Sequence, residues 1–124
     1  MNSNRPVNLD LTTIQLPLPG KASILHRISG VILFFAVAFM LAALSMSLES
    51  EASFAELKAA FDHGLVKFIA WGIVSALGYH FVAGIKHLVM DMGIGETKEG
   101  GRTGAIITLA GGVIVIVLAG VWVW

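Results

Sequence analysis

Cysteine is absent from this 124-residue chain, which excludes a disulfide, a thiolate-ligated iron–sulfur cluster and a thiolate nucleophile. Its absence gives no indication of redox compartment, and any redox centre must use other ligands. Charge is also scarce. Asp, Glu, Lys and Arg make up 13% of the residues, and eight basic groups cancel eight acidic ones. Without a basic excess to hold a phosphate backbone, nucleic acid is not an expected partner. The chain has no phosphate-binding glycine loop, no nucleophile–base triad spacing, no HExxH zinc motif, no internal repeat and no low-complexity tract. Only three prolines occur, at positions 6, 17 and 19, so nothing breaks the long apolar runs that follow them.

Those runs dominate the rest. Hydrophobic residues reach 56% and mean hydropathy is +0.85, too apolar for an ordinary soluble domain of this size. A helix needs about 20 mainly apolar residues to cross a hydrocarbon core about 30 Å thick. Three uncharged stretches meet that requirement: Ile28 to Leu48, Phe68 to Ile85 (reaching Met90 if Lys86 snorkels) and Thr103 to Trp124. The expected fold is an all-α integral membrane domain of three spans: helix I at 23–48, helix II at 68–90 and helix III at 103–124.

The first 22 residues contain Asp10, Pro17 and Pro19 and lack an unbroken apolar core, so they do not resemble a cleaved signal peptide and are expected to remain. Val7, Leu9 and Leu11 alternate with polar neighbours, as in an extended or interfacial segment, and Pro17, Pro19 and Gly20 are read as a break before helix I. Basic residues set the orientation, because Lys and Arg are retained on the cytoplasmic side. Arg5, Lys21, Arg27, Lys86, Lys98 and Arg102 flank one side of the spans, and only Lys58 and Lys67 the other. The N-terminus and the loop 91–102 are therefore expected in the cytoplasm, with the loop 49–67 and the C-terminus on the opposite side. Within that outer loop Ser53 and Glu56 stand at capping-box spacing, which predicts a short surface helix from Phe54 to His63.

His80 is the sharpest anomaly, an ionisable group about ten residues from either end of helix II. Gly72, Ala76, His80 and Gly84 recur every four residues, so they share one helix face. That face admits two readings: a close-packing stripe in which neutral His80 hydrogen-bonds a neighbouring helix, or a flat slot where the imidazole ligates haem iron. His87 lies two turns on, about 10 Å along the axis. In an antiparallel arrangement, His26 and Arg27 at the inner start of helix I are expected at its depth. These three residues can donate to haem propionates or serve only as interfacial anchors.

Ser23, His26, Arg27 and Gly30 are spaced to share one side of the helix I entrance. Ser23 can cap the helix; alternatively, its hydroxyl and the Arg27 guanidinium can polarise the carbonyl of a lipid-soluble quinone. His63 reads as a loop histidine and Lys86 as a snorkelling residue. Gly104, Thr108, Gly112 and Gly120 form a packing ridge on helix III, with Ile116 at the remaining step.

Arg5-Pro6 with the run Ser23-Ile24-Leu25-His26-Arg27-Ile28-Ser29, and the run His80-Phe81-Val82-Ala83-Gly84-Ile85-Lys86-His87 ending in Asp91 and Gly93, closely resemble the two signature regions of the succinate dehydrogenase cytochrome b556 subunit family. These are proteobacterial membrane anchors of respiratory complex II. The resemblance extends over nearly the whole chain, including the three-span layout and the final Trp. It implies that His80 is the axial ligand of a haem b shared with a second small membrane subunit, which supplies the other axial histidine. It further implies that Ser23 and Arg27 bind quinone, with ubiquinone the expected substrate, and that His26, Arg27 and His87 surround the propionates. One position departs: Lys86 stands where the family usually has Arg, keeping the charge but losing the planar fork.

The axial separation expected of His26 and His87 from His80 also excludes bis-histidine ligation by this chain alone and so requires a partner chain. Further partners implied are an iron–sulfur subunit, a flavoprotein subunit that oxidises succinate, and membrane lipids. The expected location is the bacterial inner membrane. The isolated chain is not expected to catalyse a reaction. The alternatives are an anchor of a quinol:fumarate reductase and a cofactor-free membrane scaffold.

Overall fold

The computed structural model describes residues 15–124. The Arg5-Pro6 pair and the alternation at 7–12 lie outside the described residues. Four helices follow in order: α1 (Leu18–Glu49), α2 (Glu51–Ala60), α3 (Gly64–Asp91) and α4 (Lys98–Val123). Helices α1, α3 and α4 are long and apolar enough to cross a membrane, so the fold is the all-α membrane architecture that the three apolar runs imply.

Helix α1 starts five residues before its expected boundary. Pro17 is the N-cap residue and Pro19 sits in the first turn, where a missing N–H costs nothing because that donor has no intrahelical partner. The break expected at the prolines therefore falls at Pro17, whose extended backbone precedes α1, while Pro19 and Gly20 lie within the first turn. Ser23 consequently lies inside α1, more than a turn beyond the cap, and the capping reading of Ser23 is overturned. With 32 residues at 1.5 Å each, α1 is about 48 Å long. Its apolar run begins only at Ile28, so the first turns extend toward the interface and carry Lys21, Ser23, His26 and Arg27.

The short outer helix also forms, but three residues earlier than Ser53 indicated. Ser50 is extended, and its Oγ accepts from the Ser53 backbone N–H at 2.9 Å. This leaves Ser53 in the first turn of α2. Glu51 in that turn and Lys58 in the last complement the helix dipole. Between α3 and α4, Gly93 and Gly95 adopt positive φ of 82° and 73°, conformations that only glycine takes without strain. The Thr97 hydroxyl then accepts from Gly100 N–H at 2.9 Å to open α4.

Helix α3 is antiparallel to both α1 and α4 and packs against each. Its contact with α4 follows the expected ridge. A Cβ on Gly112 would lie 2.6 Å from Tyr79 Cδ2, and one on Gly120 would lie 3.3 Å from Trp71 Nε1. The missing step at Ile116 is used through its backbone, whose carbonyl accepts from Trp71 Nε1–H at 2.8 Å. Gly78 on α3 reciprocates by receiving Val115. Among the described residues the buried set is nearly all small: Ala22, Ser29, Ala36, Ala83, Gly101, Ala105, Thr108, Gly112 and Ala119, with Tyr79 the one large member. Close backbone approach thus substitutes for a bulky core, as expected where lipid removes the hydrophobic drive between helices.

Toward the end where α1 finishes and α3 begins, the bundle opens. A cleft of about 620 Å³ opens between Phe39, Phe61, Ile69 and Trp122. Gly72, expected to continue the small-residue face of α3, is exposed and has no neighbour within 4 Å of a Cβ position, because each four-residue step drifts about 40° around the helix and carries Gly72 off the contact face.

Candidate functional site

At the end of the bundle where α1 begins and α3 ends, the three bundle histidines meet. The His26 and His80 rings stack with centroids 4.2 Å apart and planes 16° apart, while His87 lies 5.0 Å from His26 at 47°. The expected depth of His26 is thereby corrected. It lies beside His80, between the two α3 histidines and not level with His87 alone. The reason is that α1 crosses α3 closely at Gly30, where a Cβ would stand 3.2 Å from His80 Cε1. That approach brings the turn carrying His26 against the imidazole. Proximity still does not make His26 a second axial ligand. Axial imidazoles point their nitrogens at one metal from opposite sides, at about 2 Å each, whereas these two rings meet face to face.

The hydrogen bonds around His80 determine its tautomer. Ser29 Oγ donates to the His26 carbonyl at 2.6 Å. His80 Nδ1 is 3.0 Å from that same Oγ and 3.2 Å from that same carbonyl oxygen. The carbonyl can only accept, and the single Ser29 proton is already committed to it, so both neighbours of Nδ1 are acceptors. Nδ1 therefore carries the ring proton, and Nε2 keeps its lone pair. Among the described residues, the hydrogen bonds of the His80 ring all run through Nδ1. This is the arrangement in which a histidine ligates a metal through one nitrogen while the other is anchored to protein.

The remaining features fit a flat prosthetic group. A Cβ on Gly84, one turn further inward, would meet only His26 Nε2, at 3.8 Å, so the space beside the imidazole is not filled by a side chain at that position. Adjacent Tyr79 is held on the other side. Its hydroxyl donates to the Ala22 carbonyl at 2.8 Å while its ring lies on Gly112. Tyr79 thus ties α3 to α1 and α4 at once and fixes the rotation of α3 that directs His80 toward α1. A cluster of three His, Cys, Asp or Glu side chains able to hold a bare metal ion is absent among the described residues.

Arg27 occupies a different face. Ala22, Ser29 and Ala36 mark the buried side of α1, and Arg27 lies about 140–160° around the helix from Ala22 and Ser29. It is exposed, and Ser23 is half-buried. The Ser23, His26, Arg27, Gly30 grouping therefore divides. His26 and Gly30 turn toward α3 and Arg27 turns away, while half-buried Ser23 lies between them, about 20° around the helix from Gly30 and about 40° from Arg27. Sequence reasoning assigned no role to Ser29, Gly30 as a His80 contact, or Tyr79. A signal for Ser29 was present, since it follows His26 by three residues and is a hydroxyl at the edge of an apolar span. Tyr79 is the chain's single tyrosine, beside the histidine.

Comparison with known proteins agrees with this architecture. Residues 1–119 match the family model described as succinate dehydrogenase/fumarate reductase transmembrane subunit. The chain is 43% identical, over all of both sequences, to a protein of Coxiella burnetii named succinate dehydrogenase cytochrome b556 subunit. It is 32% identical to the Paracoccus denitrificans protein of that name, covering 93% of this chain and 88% of the relative. It is 33% identical to the succinate dehydrogenase cytochrome b560 subunit of Reclinomonas americana, covering 75% and 68%. A match of this extent, on a chain whose three spans gather their histidines at one end, shows that it belongs to the succinate dehydrogenase/fumarate reductase transmembrane subunit family.

Proposed function

We propose that this chain is the membrane-anchoring cytochrome b subunit of a succinate:quinone oxidoreductase in a bacterial inner membrane. In this role it provides one axial ligand to haem b and part of the site that reduces quinone. The observation that carries the reading is the anchoring of His80 Nδ1, 3.0 Å from Ser29 Oγ and 3.2 Å from the His26 carbonyl oxygen, which holds the ring by one nitrogen and leaves Nε2 to coordinate. The printed names of the relatives, cytochrome b556 and b560, support it. When bound, the haem supplies a one-electron centre within the bilayer.

This chain's residues divide the remaining work. His80 would hold the haem iron, and the second histidine is assigned to another membrane subunit, a reading that the face-to-face stack of His26 on His80 supports. His26 and His87 offer donors toward propionates at the histidine end, whereas the exposed Arg27 turns away from that pair and is assigned to the quinone. At the entrance of α1, half-buried Ser23 donates to a quinone carbonyl and exposed Arg27 stabilises negative charge as the quinone is reduced. A chain without cysteine receives its electrons from an iron–sulfur subunit, with a flavoprotein beyond it oxidising succinate. The six-to-two distribution of basic residues supports a cytoplasmic N-terminus and a periplasmic C-terminus, which places the histidine end beside those soluble subunits.

The test is a reduced-minus-oxidised optical spectrum of the purified membrane complex with and without His80→Ala. The native complex is expected to show a low-spin b-type signal that the variant loses. A variant retaining the native signal would show that another residue is the ligand. The family description also names fumarate reductase; comparing succinate-driven quinone reduction with quinol-driven fumarate reduction in one preparation determines the direction.

A further inference from the structure

We infer that Ser29 is a positioning residue that sets the reduction potential of the iron bound by His80, acting through the proton on Nδ1. The inference rests on the haem reading above and goes beyond it by assigning control of the ligand's basicity to one hydroxyl. Ser29 is 4% exposed, so water does not compete for its oxygen. Its proton is donated to the His26 carbonyl at 2.6 Å, and the withdrawn proton leaves the oxygen lone pairs directed at Nδ1–H, 3.0 Å away. Serine and carbonyl thus form a relay in which one accepts from the imidazole while donating to the other. An imidazole whose N–H is strongly accepted carries more electron density on its other nitrogen and is the better donor to a metal. A better donor favours the ferric over the ferrous state and so lowers the potential.

The geometry explains why this position does not serve packing alone. Ala22 and Ala36 occupy the same buried side of α1, and an alanine at 29 would satisfy the helix contact as they do. A hydroxyl there would otherwise be a buried polar group facing a histidine, tolerable only because both of its hydrogen-bonding capacities are used. With Ser29 removed, Nδ1–H retains only the His26 carbonyl at 3.2 Å, the longer of its two contacts.

The experiment is a redox titration of the haem in the detergent-solubilised complex, comparing the native chain with Ser29→Ala, Ser29→Thr and the near-isosteric Ser29→Cys. Haem content and low-temperature electron paramagnetic resonance are measured on the same samples. Ser29→Ala is expected to retain haem and favour the reduced form by about threefold, which is about 30 mV upward for a one-electron couple. Ser29→Thr, which restores the hydroxyl, returns toward the native value. Ser29→Cys, a weak acceptor, moves in the same direction as alanine and decides the matter if the alanine variant does not assemble. Haem present at an unchanged potential and with unchanged resonance in the alanine or cysteine variant overturns the inference and leaves Ser29 a packing residue. Absence of a low-spin haem from the native complex instead overturns the underlying haem reading.

Discussion

His26 and His80 lie face to face, ring centroids 4.2 Å apart, because Gly30 lets α1 approach the histidine on α3. A side chain at position 30 would enter the space of the His80 ring, since its Cβ alone would stand 3.2 Å from Cε1 and 3.6 Å from Nδ1.

Gly30→Ala is therefore expected to be tolerated with a slight tilt of the imidazole, and Gly30→Val is not. Overpacking of this kind costs roughly 1–3 kcal/mol, with valine at the upper end. Haem-to-protein ratio in membranes should fall slightly for alanine and severely for valine. Equal haem content in the valine variant would show that α1 has room to withdraw.

Gly112→Ala tests the other side of α3. Its Cβ would meet Tyr79 Cδ2 at 2.6 Å and Cε2 at 3.1 Å, on a ring already fixed by its hydroxyl bond to Ala22. The tyrosine cannot move without losing that bond, so a stability loss of about 1–3 kcal/mol is expected. Thermal inactivation of the assembled complex reads it. In a Tyr79→Phe background, where the ring is released, the penalty should shrink, and strict additivity of the two changes would rule out the coupling.

Orientation can be measured directly because the chain has no native cysteine. A membrane-impermeant maleimide should label Lys58→Cys in intact cells and Lys98→Cys only after permeabilisation. The reverse pattern would put the histidine end on the wrong side for a cytoplasmic dehydrogenase.

The entrance of α1 makes a separate prediction. Ser23→Ala is expected to lower succinate-to-quinone electron transfer by a factor corresponding to roughly 1–3 kcal/mol, with an intact haem spectrum and undiminished transfer from succinate to a soluble acceptor. Arg27→Leu should be more damaging, because it removes a charge and not one hydrogen bond. Native quinone kinetics in both variants would move the quinone site onto the partner subunits.

The sequence by itself determined the three spans and their small-residue packing, because crossing a bilayer demands long uncharged runs and close helix contact demands glycine, alanine and serine at fixed steps. It also singled out His80 by the cost of an imidazole within an apolar run. Helix ends were less legible. Pro17 and Pro19 are compatible with a break and with a first turn alike, and only the folded backbone put the break at Pro17 and Pro19 in the first turn. Ser50 likewise capped α2 in place of Ser53, since the sharp turn after Glu49 left Ser50 extended with its hydroxyl free to accept. The depth of His26, the tautomer of His80 and the role of Ser29 were decided by tertiary structure alone. Each depends on how closely α1 crosses α3 and at what rotation, and that crossing is fixed jointly by Gly30, Tyr79 and Gly112 on three different helices, a relationship that spacing along any one helix does not contain.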